Sequence, residues 1–198
     1  MFKSPIFQLL IIFALIILLT LIGPEEKSLG ANVRIVYLHG AWVLSALLAL
    51  AASGLAGIAG LLLRRADLHR WSQALGRSGM IFWITYLPLS LWAMQTNWNG
   101  LFLAEPRMSV AFTFAVVGLL IQVGLAVINH PLLTSAANAV FIAILTFSLS
   151  RVDSVMHPPP SPIFNSGNYF LIGYFLSLNL LVLFAAYLVA RLASNWQR

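Results

Sequence analysis

The sequence predicts an all-α integral membrane protein of six transmembrane helices with both termini cytoplasmic. Three observations carry that prediction. Of 198 residues, 61% are hydrophobic and 8% charged, with a mean hydropathy of +0.93. So few charges cannot clothe a water-soluble globule, and the apolar surface must face lipid. Six stretches are also long enough to cross about 30 Å of hydrocarbon at about 1.5 Å per residue. Finally, the cations are distributed unevenly between the two sets of loops that those stretches would define.

The expected spans are 5–23, 40–63, 79–96, 109–128, 132–150 and 169–190. The first follows Lys3 and superficially resembles a signal peptide. Its apolar run from Ile6 to Ile22 is long, however, and Gly23-Pro24-Glu25-Glu26 lacks a small-x-small cleavage pattern, so it reads as a retained helix. The second carries Ala46, Ala49, Ser53, Gly57 and Gly60 at three- and four-residue spacing. Small residues in that register let neighbouring backbones approach, which favours an intramolecular packing face. Pro88 should kink the third span. Gln122 in the fourth, Thr85 in the third and Asn179 in the sixth would bond across helices. No hydrophilic stretch is long enough for a soluble domain and no internal repeat occurs, so residues 1–198 form one domain.

With the N-terminus cytoplasmic, the inner side holds Lys3, Arg64, Arg65, Arg70, Arg77, Arg191 and Arg198. The outer side holds Lys27, Arg34, Arg107 and Arg151. Among the acids, Asp67 alone is inner, whereas Glu25, Glu26, Glu105 and Asp153 are outer. The net charge of +6 therefore reports topology and anionic lipid, with no call for nucleic acid. Trp71 and Trp196 inside, with Trp42 and Trp98 outside, would form the interfacial belts. His69 and His130 fall on the inner side, among head groups. Cysteine is absent, which excludes disulfides, thiolate metal ligation and covalent haem attachment through C-x-x-C-H.

Chemistry is expected at the outer surface, in loops 24–38, 97–108 and 151–168. His39 closes the first of these loops and His157 lies in the third. Two neutral imidazoles on one face can hold a haem iron without covalent attachment. Arg34, Arg107 and Arg151, one from each loop, can pair with the haem propionates. Trp98, Leu101, Phe102 and Leu103 offer an apolar shelf. Each element has a plainer reading: histidines as hydrogen-bonded anchors, arginines against lipid phosphates, Trp98 as a belt residue. Residue chemistry alone leaves both readings open.

The arrangement resembles the CcmC-type cytochrome c biogenesis proteins, of the haem-handling superfamily that includes CcsA-type and CcmF-type proteins. The segment Val33-Arg-Ile-Val-Tyr-Leu-His39 is similar to the family's R-I-I-Y-x-H motif before the second helix. Met156-His157-Pro-Pro-Pro-Ser-Pro-Ile163 is similar to its second histidine motif. The family's W-G-x-W-W-x-W-D-x-R-L-T run falls on Trp98 to Ser109. There Trp98 and Arg107 match, Glu105 keeps the carboxylate and Phe102 keeps a ring, but Leu101 and Ala104 stand where the family has tryptophans.

The resemblance implies haem handling and delivery at the outer face of a bacterial inner membrane during cytochrome c maturation. Haem b would be held non-covalently by His39 and His157, with Trp98 and Phe102 stacking on it and Arg34, Arg107 and Arg151 near the propionates. Implied partners are ABC-type transporter subunits and a periplasmic haem chaperone. No substrate bond need be broken, so no enzyme activity is expected. The alternative is a haem-free structural or accessory subunit of a larger membrane complex built on the same fold. A solute channel fits less well, because the expected spans place no acid or cation well inside the hydrocarbon.

Overall fold

The computed structural model describes residues 4–152 and 163–195. Six helices run in chain order: α1 (Pro5–Leu21), α2 (Val33–Leu63), α3 (Ala66–Trp98), α4 (Pro106–Ile128), α5 (Pro131–Ser150) and α6 (Tyr169–Asn195). The described residues contain no strand beyond one isolated Glu26–Gly30 bridge in the α1–α2 loop. Gly30 takes a left-handed φ of 55° there, which closes the turn. In the same loop the hydroxyl and N–H of Ser28 donate to Glu26 and hold its carboxyl below the usual range.

Four helices, α2, α4, α5 and α6, are long and apolar enough to cross a membrane, which makes the chain a multi-pass membrane protein. Helix α1 is apolar but has only 17 residues. Helix α3 has 33 residues, and Asp67, Arg70, Gln73 and Arg77 make its first half polar. At about 1.5 Å per residue, α2 exceeds the hydrocarbon thickness and must overhang it or cross it tilted.

The helix ends follow local chemistry. Pro106 and Pro131 occupy first helical positions, where a missing N–H costs nothing. Glu105 caps α4 by accepting from Met108 N at 2.8 Å, and His130 caps α5 by accepting from Leu133 N at 3.2 Å. Asn99 and Asn129 end α3 and α4 in the left-handed region that asparagine tolerates, and Arg64 ends α2 there too.

Helices α2 and α3 form the centre and share the largest interface, with α5 and α6 packed around them, α1 chiefly against α6, and α4 against α3 and α5. Water does not drive this association, because lipid is as apolar as leucine; close packing and internal hydrogen bonds do. The α2 stripe of Ala46, Ala49, Ser53, Gly57 and Gly60 is buried within the chain. Trp83 of α3 is 1% exposed and donates its Nε1–H to Ala111 O of α4 at 3.2 Å. Ser78 of α3 reaches Ala186 O of α6 at 2.6 Å.

Several sequence expectations are corrected. Helix α2 begins seven residues early and α3 thirteen, because residues too polar for a hydropathy span are helical where they pack on protein. Trp42 also packs within the protein: its ring lies 4.9 Å from Phe82 and its Nε1–H donates to Thr85 at 2.9 Å, joining α2 to α3. His69 does not sit among head groups. It is 6% exposed, packs on Gly60, and its Nδ1 lies 2.7 Å from the Ser135 hydroxyl.

Candidate functional site

A cavity of about 340 Å³ opens near the ends of α2, α3 and α4 where the outer loops were expected. Helix α2 contributes His39, Val43 and Leu47, which follow one another by a turn along one helix face. Helix α3 contributes Trp83, Tyr86, Ser90 and Met94, again one face at three- and four-residue spacing. Glu105, Arg107 and Met108 come from the start of α4, and Leu149 from α5.

His39 is therefore a helical residue, in the second turn of α2, and not the last residue of a loop. It is half-buried, and its ring centroid lies 5.7 Å from that of Tyr86 at an interplanar angle of 46°. The helix start that begins at Pro106 fixes Glu105 and Arg107 on either side of that proline. Glu105 is 7% exposed; one carboxylate oxygen caps Met108, while the other, Oε1, is buried without a hydrogen-bond partner. Arg107 is half-buried, and its Nε is likewise buried and unpartnered. The two opposite charges form no ion pair with each other: among the described residues the ion pairs are Arg34–Glu25 and Arg65–Asp67. Both residues line the cavity, and a buried carboxylate oxygen and a buried guanidinium N–H without partners are costly.

The other site residues predicted from sequence are placed differently. Arg34 lies in the first turn of α2, half-buried, and is committed to the α1–α2 loop. Its Nε donates to Gly23 O at 2.9 Å and its Nη2 to Glu25 Oε1 at 3.2 Å. Removing it should loosen that loop: Arg34→Ala is expected to cost about 1 kcal/mol, mostly the Gly23 bond, since exposed ion pairs contribute little. Thermal unfolding in detergent reads this as a small fall in midpoint, and an unchanged midpoint would show the loop is held otherwise. Trp98 ends α3 and Phe102 follows in the turn; both are exposed, at 39% and 45%, and neither lines the cavity. Arg151 caps the end of α5 with its guanidinium 5.0 Å from the Phe147 ring centroid. His157 lies outside the described residues. The structure thus brings His39, Glu105 and Arg107 to one cavity and leaves Arg34, Arg151, Trp98 and Phe102 off it.

Four lining residues of α3 were missed by sequence reading. Trp83, Tyr86, Ser90 and Met94 recur at helical spacing, so a common face was legible, but an aromatic stripe of that kind reads equally as core. Among the described residues no group of three or more histidine, aspartate and glutamate side chains gathers in metal-binding geometry.

The chain matches no family model, no curated protein and no solved structure.

Proposed function

We propose that this multi-pass membrane protein handles haem at the outer face of a bacterial inner membrane, with both termini cytoplasmic. The observation that carries the reading is the shared cavity of His39 and Arg107. An imidazole suits an iron ligand, and a guanidinium group at the same cavity suits a propionate. On that test the residues fit one axial ligand and one carboxylate partner. His39 and His157 would be the axial ligands, and Arg34 and Arg151 would join Arg107 near the propionates. Trp98 and Phe102, exposed beside Leu101 and Leu103, would offer the shelf on which a ring face rests. Bound haem b would supply an iron centre; the chain's own residues grip it without covalent attachment, as a chain without cysteine must. ABC-type transporter subunits and a periplasmic haem chaperone are the proposed partners, and no enzyme activity is required.

A second reading is favoured by a specific observation. Leu101 and Ala104 replace two ring-stacking positions, and Arg34 is already paired with Glu25 and Gly23. Loss of stacking area on that scale weakens porphyrin binding by about a few kcal/mol. The same fold without haem would be a structural or accessory subunit of a larger membrane complex.

Optical spectra of the detergent-purified protein, oxidised and reduced, decide between them. A low-spin bis-histidine spectrum that is lost or turns high-spin in His39→Ala and in His157→Ala is the expected result. Absence of haem from wild-type protein produced with abundant haem and its membrane partners would transfer the assignment to the accessory subunit.

A further inference from the structure

The first half of α3 carries Arg70, Gln73 and Arg77 at three- and four-residue spacing, a ladder along one helix face. The register of α3 against α2 fixes its depth. Gly60 of α2 packs on His69 and Gly57 on Ser72, while Gly76 of α3 packs on Ser53 and Gly79 on Leu50. The two helices are therefore antiparallel, and the stretch from His69 to Gly79 lies beside that from Gly60 to Leu50. Leu62 lies nearer the α2–α3 turn than any rung of the ladder, yet it is 77% exposed in a helix apolar enough to cross a membrane. Exposed leucine at that level faces lipid, which sets the ladder at hydrocarbon depth, where a guanidinium calls for an anionic partner. The chain supplies none. Among the described residues the three side chains form no hydrogen bond or ion pair, and Arg65 holds both oxygens of Asp67, at 3.1 and 2.7 Å.

The face that bears the ladder is open. Ser78 bonds to Ala186 of α6, Met80 packs against Gly118 of α4, and Arg77 lies between these two directions around α3. Helices α4 and α6 do not touch each other among the described residues, so α3 floors a groove between them. Arg70 is exposed there and Gln73 and Arg77 are half-buried, followed by Ile81, 49% exposed, one turn further along. Helical side chains lean toward the N-terminus of their helix, which directs both guanidinium groups toward the membrane surface at the α2–α3 turn. Two cations whose nearest acid in sequence, Asp67, is already paired repel the ammonium of a zwitterionic lipid and suit a head of net negative charge. An acid in a partner's transmembrane helix would answer Arg77 alone, whereas the ladder continues outward to Arg70. We propose that the groove binds an anionic phospholipid, its phosphate between Arg70 and Arg77 with Gln73 donating beside them, and an acyl chain along Ile81. The site shares no residue with the His39 cavity and does not rest on the haem reading.

The test uses the full chain in a neutral maltoside detergent without added haem, titrated with dioleoylphosphatidylglycerol and, in parallel, dioleoylphosphatidylcholine, with bound lipid counted by native mass spectrometry. One phosphatidylglycerol held about tenfold more tightly than phosphatidylcholine is expected. Arg70→Gln and Arg77→Gln should each weaken it about tenfold, the loss of a hydrogen bond between charged groups. Arg191→Gln removes the same charge from an exposed position near the end of α6 and should change it by less than about twofold. Thermal midpoints without lipid should be equal in all four proteins, which guards against misfolding; a fall in Arg77→Gln would place its guanidinium in a bond within the chain and overturn the proposal. So would equal affinity for the two lipids, or equal weakening in Arg191→Gln, the mark of general surface attraction. Displacement by inorganic phosphate would make the groove a free-anion site, and undiminished binding in both α3 variants would leave it to a partner's transmembrane acid; either result overturns the proposal. Because no haem is present in the titration, a negative haem spectrum leaves its outcome intact.

Discussion

Gly57→Leu is expected to leave no folded bundle, and Gly57→Ala to lower stability by about 1–3 kcal/mol, the usual cost of overpacking. The reason is backbone against backbone. A Cβ at Gly57 of α2 would stand 2.6 Å from the Ser135 carbonyl oxygen of α5 and 3.0 Å from the Ser72 hydroxyl of α3. Ser72 can turn away, but a carbonyl within α5 moves only if the helix moves. Gly124 of α4 is the matched control, because a Cβ there meets nothing within 4 Å. Gly124→Ala should be neutral or stabilise slightly, since alanine is the better helix former by up to about 1 kcal/mol. Thermal unfolding of the three variants in one detergent gives the comparison. Equal midpoints for Gly57→Ala and Gly124→Ala would mean that α2 and α5 are not packed as closely as described.

That contact also shows what hydropathy could and could not reveal. Apolar runs located six helices and several of their ends, because lipid exposure and apolar sequence are the same signal. The first turns of α2 and the first half of α3 escaped, since Arg34, Arg70, Gln73 and Arg77 dilute the average while Val33, Ile35, Tyr37, Ser72 and Gly76 bury against protein. Small and hydroxylated residues look polar to a scale that measures transfer to oil, yet they are what lets helices touch. His69 was misplaced for the same reason: one titratable residue near Arg64 and Arg65 suggests a head group, and only Gly60 and Ser135 show that a packed niche awaits it. Of the site, His39 and Arg107 were legible from chemistry and spacing, and Glu105 only as a carboxylate kept in the motif resemblance. The α3 wall was not, because a ring facing a cavity and a ring facing a core have identical spacing.

Asn138→Leu should be the costliest change among the buried polar side chains, at about 2 kcal/mol, although the two side chains are similar in size. Asn138 of α5 is 4% exposed and uses both ends of its amide. Its Nδ2 donates to Ser72 O at 3.0 Å and to Ser72 Oγ at 3.2 Å, and its Oδ1 accepts from Gln122 Nε2 at 2.9 Å. Ser53 of α2 donates to the same Ser72 carbonyl at 2.7 Å, so four helices meet around one amide. Gly76 makes room for it, since a Cβ there would lie 2.8 Å from Nδ2. Each interhelical bond in a membrane contributes about 0.6 kcal/mol on average and at most about 1.7, so three of them account for the total. The decisive measurement is the double-mutant cycle with Gln122→Leu. In Asn138→Leu alone the Gln122 amide is stranded in an apolar interior; in the double variant both partners are gone and the orphan disappears. The double variant should therefore be destabilised by less than the sum of the two single changes. Strict additivity would show that Gln122 finds water or another partner, and that the four helices are held by packing without this amide.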